Sequence, residues 1–286
     1  MALGFIPSDA SLLVLQAAVV AAPRTPPRTS WIAGLRGPVW AVIPIASIVG
    51  VVFAIRFVSN TADALTYLAV VAVPPLAMTA LAWASRPERR VSRGRVFGAA
   101  VWTAALFATA TGHGLLSQGA AALLSALSCV TLGVLLAAVA PVRWLKMGIL
   151  AMAAADVWLV GSDILQHPNS LLVQAQPGVF LGAHLPRLQS EIFGGVSMGY
   201  GDLFIAALLG AVLAAGRRPQ WPAALITLVL AALFDVLFLV VSELPATVPV
   251  AATLIVLELS QRAPVSRGRG GWPRRWIPGG PVGRRA

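Results

Sequence analysis

Charge is what this sequence most lacks. Only 11% of its 286 residues are charged, against about 25% in a soluble globular domain, so little of its surface is built to face water. Cysteine is nearly absent: Cys129 stands alone, which excludes a disulfide scaffold and argues against redox chemistry. Acids are scarce, 10 against 21 bases, so each acid in an apolar stretch calls for an explanation. There is no His-Glu-x-x-His string, which excludes a zinc intramembrane protease, and no cofactor or metal is expected. Gly195-Val196-Ser197-Met198-Gly199 fits a serine nucleophile pattern. Its base is missing, because His113, His167 and His184 all fall in predicted loops.

What the chain has instead is apolar length. Hydrophobic residues make up 58% of it and the mean hydropathy is +0.83. Apolar runs fall at roughly 8–23, 38–56, 64–84, 96–112, 118–141, 147–165, 191–215, 220–242 and 244–260. Nine helical spans of about 20 residues would use about 180, leaving the remainder for loops and tails. The pattern predicts an all-α, polytopic integral membrane protein with nine transmembrane helices. Pro74-Pro75 predicts a kink in the third.

The basic residues orient these spans. With nine spans, nineteen Lys and Arg fall on one side and only Arg56 and Arg187 on the other. Cytoplasmic loops collect positive charge, so the N-terminus is expected outside and the C-terminus in the cytoplasm. Trp31, Trp40, Trp83, Trp144 and Trp221 lie near predicted span ends, where amphipathic rings prefer to sit. The tail 261–286 holds seven Arg, six Gly and four Pro without an acid, a composition that cannot build a core and predicts a disordered segment against anionic lipid headgroups. Lipid accounts for its charge, and no nucleic-acid partner is expected.

Most acids sit near predicted span ends, where water can solvate them. Asp156, Asp202 and Asp235 lie deeper. Asp235 is about two turns from the outer end, reads as reaching a wet crevice, and is given no catalytic role. Asp156 and Asp202 belong to successive antiparallel spans at depths of about 14 and about 20 Å from the cytoplasmic side, within the error of the boundaries. Two carboxyls brought close in a low dielectric share one proton near neutrality. One can then take a proton from water while the other hydrogen-bonds an amide carbonyl. Gly199 and Gly201 let backbone or an extended substrate approach Asp202. Pro245 and Pro249 are expected to leave nearby carbonyls free to hold a substrate strand.

Three strings carry a resemblance: Ala155-Asp156-Val157-Trp158-Leu159-Val160-Gly161-Ser162, Gly199-Tyr200-Gly201-Asp202, and Leu244-Pro245-Ala246-Thr247-Val248-Pro249. Together they resemble the presenilin and signal peptide peptidase family of intramembrane aspartyl proteases, which carries Tyr-Asp on its sixth span, Gly-x-Gly-Asp on its seventh and Pro-Ala-Leu at its ninth. Ala155 stands where the family has tyrosine, and Thr247 where it has leucine. The resemblance covers residues 147–260 by motif and the first five spans by count. It implies a presenilin-like fold, with a five-span N-terminal bundle over 1–146, a catalytic four-span region over 147–260 and the basic tail over 261–286. It further implies catalysis by Asp156 and Asp202, substrate binding by Gly199, Tyr200, Gly201, Leu244, Pro245, Ala246 and Thr247, and transmembrane peptides as partners.

Other readings use the same residues. Asp156 and Asp202 can make a polar contact between helices or line a transporter cavity. Ser197-Met198-Gly199-Tyr200-Gly201-Asp202 is similar to a potassium-channel filter, although an apolar span rather than a polar loop follows it. Prepilin peptidases also use Gly-x-Gly-Asp and leave the Pro-Ala string unexplained.

Overall fold

The computed structural model describes residues 5–25, 61–84, 93–162, 179–180, 183–239 and 244–262. The second predicted span, over 38–56, and the basic tail from 263 onward lie outside the described residues, as does His167. The described chain is mostly helical. Its helices are α1 (Phe5–Ala21), α2 (Thr61–Thr79), α3 (Arg93–Ala110), α4 (Leu115–Val139), α5 (Val142–Gly161), α6 (Tyr200–Ala215), α7 (Gln220–Asp235) and α8 (Thr247–Arg262). Four short strands, β1 (Val179–Phe180), β2 (Ala183–His184), β3 (Ser190–Phe193) and β4 (Val196–Gly199), lie between α5 and α6 and pair as two antiparallel hairpins.

Three stretches, Asp63–Ala82, Leu115–Val139 and Val142–Gly161, are long and apolar enough to cross a membrane. The helices carrying α1, α6, α7 and α8 are apolar but shorter. The exterior fits a lipid solvent: Leu116 is 82% exposed, Phe97 73% and Trp158 70%, a distribution that water would penalise. The interior holds small hydroxyls, several of them paired, while Thr103 Oγ1 has no partner among the described residues. Thr227 and Thr253 bond each other at 3.0 Å, and Thr131 donates to the Leu76 carbonyl at 2.8 Å. That carbonyl lies between Pro74-Pro75 and the π turn Ala80–Ala84, where the helical ladder is disturbed and a side chain can bond the freed oxygen.

Helix α6 is the axis of the core. Its residues from Leu203 to Ala214 are almost all buried, between α4 on one side and α1 on another. Small residues allow the close approach that packs membrane helices. A Cβ at Gly133 would lie 2.9 Å from the Ala207 backbone, and one at Gly210 would collide with the Val20 carbonyl. Helices from both sequence regions thus share one core.

The apolar run 191–215 does not form one span. Its first part is the β3–β4 hairpin, with Phe193 opposite Val196 and Ser190 opposite Gly199, and the helix starts only at Tyr200. Gly194-Gly195, with φ of 60° and 94°, makes the two-residue turn that right-twisted hairpins favour. The flanking β-branched and aromatic residues suit strands. At about 1.5 Å per residue, the 16 residues of α6 rise about 24 Å, short of a bilayer's hydrocarbon thickness of about 30 Å. The hairpin therefore continues the path of α6 toward the end of the bundle where Asp202 lies.

Candidate functional site

The antiparallel helices bring the chain's deep acids to one end of the bundle. Asp202 is the third residue of α6 and Asp235 the last of α7, while Asp9 lies in the second turn of α1 and Asp156 near the end of α5. At the opposite end, Lys146 and Arg218 both reach Glu258 at 2.8 Å, joining α5, the α6–α7 turn and α8. Four aspartates thus share one end, while the Lys146–Arg218–Glu258 cluster ties the other.

The local sequence fixes Asp202. Gly199, with extended backbone at φ −73° and ψ 145°, caps α6, and its N–H donates to Asp202 Oδ2 at 3.0 Å. An acid at the third helical position reaching back to the cap residue is one half of a capping box. It also places negative charge at the positive end of the helix dipole. Asp156 is held differently. Thr247 Oγ1 donates to Asp156 Oδ2 at 2.7 Å. Asp156 and Asp202 lie near enough to interact electrostatically. The structure therefore brings together both acids singled out in the sequence, although they are 46 residues apart in the chain.

A cavity of ≈ 80 Å³ opens beside Asp202, with Ser197, Leu244, Ala246 and Pro249 on its wall. Its lining mixes apolar side chains with carboxyls, and it has room for a few waters. Asp9 and Gln16 from α1 and Asp235 from α7 also line it, and nothing in their local sequence marked them as part of the site. The Asp9 and Asp235 carboxyls lie close to each other at this wall, and Asp235 Oδ2 has no hydrogen-bond partner among the described residues. The available signal was that each acid lies close to the same end of its own span.

Several expected substrate contacts are placed otherwise. Tyr200 turns toward α4, where its hydroxyl bonds Ser128 at 2.7 Å. A Cβ at Gly201 would meet nothing within 4 Å, so none of the described residues crowds it. The carbonyls around the proline string are not free, contrary to expectation. Val248 N–H donates to Pro245 O at 3.1 Å, Gln16 Nε2 to Ala246 O at 3.0 Å, and Thr253 Oγ1 to Pro249 O at 2.9 Å. A buried carbonyl without water takes a donor from the protein. Here α1 and the first turns of α8 supply it.

The histidines lie apart from the acids. His113 and His184 stand edge to face with ring centres 6.1 Å apart, in a separate cavity of ≈ 310 Å³ with Ser117 and Arg187. Ser197 therefore has neither of them as a base. Among the described residues no group of three His, Cys, Asp or Glu could hold a metal ion. No family model matches the chain, and no curated protein or solved structure does either.

Proposed function

We propose that this chain is an intramembrane aspartyl protease of the kind it resembles, presenilin and signal peptide peptidase. It would hydrolyse peptide bonds of transmembrane segments or signal-peptide remnants. In this reading the nine spans adopt a presenilin-like arrangement with the N-terminus outside and the C-terminus in the cytoplasm, and the basic tail lies on anionic lipid. One observation supports the proposal: Asp156 and Asp202, from different helices, lie near enough to interact electrostatically, each accepts a hydrogen bond at the start of a helix, and Asp202 lines a small cavity.

The chemistry follows from two carboxyls sharing one proton. The ionised member takes a proton from water as the water oxygen bonds to the amide carbon. The protonated member hydrogen-bonds the carbonyl oxygen and stabilises the charge that develops there. When the tetrahedral adduct collapses, the C–N bond breaks and the leaving nitrogen takes a proton from the dyad. A new carboxyl end and a new amine end result, and the pair returns to one shared proton. Which aspartate plays which part belongs to the pair.

Asp156→Asn and Asp202→Asn test this directly. Each keeps the shape and much of the hydrogen bonding but cannot share a titratable proton, so either alone abolishes cleavage of a membrane-helix substrate by the purified protein in lipid. Robust cleavage by either variant contradicts the proposal. A second reading, a transporter or channel-like protein, draws on Asp9 and Asp235, which add carboxyls to the same cavity.

A further inference from the structure

The string Leu244-Pro245-Ala246-Thr247 reads from its resemblance as a substrate-binding element, yet the side chain of Thr247 does not face the cavity. It is 3% exposed, and its hydroxyl donates to Asp156 Oδ2 at 2.7 Å. Thr247 is also the first residue of α8, so its N–H is one of the donors that a helix leaves unpaired at its start. Asp156 thus accepts a bond from a residue of another helix, at the positive end of that helix's dipole. Ala155, beside Asp156 in the chain, has no hydroxyl to offer.

We infer that Thr247 is a positioning residue for Asp156, whose hydroxyl fixes the carboxyl in the orientation that faces Asp202, rather than a contact to substrate. The inference rests on the aspartyl-protease reading. The hydroxyl bond restricts the rotamers open to the carboxyl, and a catalytic carboxyl must sit within a fraction of an ångström of its productive place. Without the hydroxyl the carboxyl is free to turn.

The test compares Thr247→Val, which keeps the shape and the backbone N–H but loses the donor, with Thr247→Ser, which keeps the donor. Purified full-length protein in lipid is assayed on a membrane-helix substrate. Valine should lower kcat by about tenfold to a hundredfold, the range for one hydrogen bond to a charged group, with KM within about twofold, and serine should restore most of the loss. A merely structural threonine would lower the amount of folded protein and leave the kcat of what remains unchanged, which overturns the inference. A raised KM with unchanged kcat overturns it in favour of a substrate contact.

A second readout needs no activity. The infrared carboxyl band that disappears in Asp156→Asn should move to higher frequency in Thr247→Val and return in Thr247→Ser. An unmoved band overturns the inference. Wild-type protein that binds the substrate without cleaving it contradicts the protease reading, while the infrared arm still decides whether the threonine holds Asp156.

Discussion

Two carboxyl pairs lie at the same end of this bundle, and they are held in opposite ways. Asp156 and Asp202 each accept a hydrogen bond from a neutral donor at a helix start, the Thr247 hydroxyl and the Gly199 N–H. Asp9 and Asp235 instead have each other as close neighbours across α1 and α7. In the first pair each carboxyl is steadied from outside and can change protonation without losing its place. In the second, no outside donor steadies Asp235 Oδ2 among the described residues, and two neighbouring carboxyls attract only when one of them holds a proton. The first arrangement suits a pair that must pass protons during a reaction. The second suits a clasp between helices.

The largest effects expected from this contrast fall on the first pair. Either Asp156→Asn or Asp202→Asn should lower cleavage at least about a thousandfold, and the double variant should be no worse than the single ones, as for residues that act as a unit. Wild-type activity should trace a bell against pH, because one proton must be present and only one. Additive losses would break the contrast by making the two aspartates independent.

Intermediate effects belong to the second pair. Asp9→Asn or Asp235→Asn keeps the shape and places an amide donor at the α1–α7 contact, and should leave cleavage within about threefold, less than about 1 kcal/mol. Asp235→Leu strands the Asp9 carboxyl and should lower thermal stability by about 1–3 kcal/mol, while the protein that remains folded keeps its activity. Loss of cleavage in Asp9→Asn with folding intact would erase the difference between the pairs.

The smallest effect is expected at Tyr200, inside the Gly199-Tyr200-Gly201-Asp202 string but turned away from the acids. Tyr200→Phe removes one hydroxyl pairing between α6 and α4, worth about 0.6 kcal/mol between membrane helices. Ser128 keeps its bond to the Ser125 carbonyl at 2.7 Å, so the change should be small in a thermal unfolding assay and absent in kcat. A large fall in kcat would place Tyr200 at the reacting atoms.

How much of this could be read in advance depended on whether the signal was local. The apolar runs that became α2, α4 and α5 were legible because length and composition alone define them. The juxtaposition of Asp156 and Asp202 was legible because successive antiparallel helices must present similar depths to each other. The β3–β4 hairpin was hidden inside an apolar run, since hydropathy does not separate strand from helix, although Gly194-Gly195 was there to mark a turn. The Asp9–Asp235 contact was out of reach because it joins the first described helix to the seventh, and nothing in either segment names its partner. The role of Thr247 was obscured by the string it belongs to, which drew attention to substrate and away from a hydroxyl 91 residues from Asp156.

The central claim is that Asp156 and Asp202 form one site that binds the tetrahedral form of a peptide bond. Photoaffinity labelling of the purified protein in lipid, with a hydroxyl-bearing transition-state isostere of a transmembrane peptide, tests it most directly. Saturable labelling is predicted, competed by unlabelled isostere, falling on peptides that carry Asp156 or Asp202, and lost in both Asp156→Asn and Asp202→Asn but kept in Asp235→Asn. Labelling that is not saturable, or that persists in both dyad variants, contradicts the account.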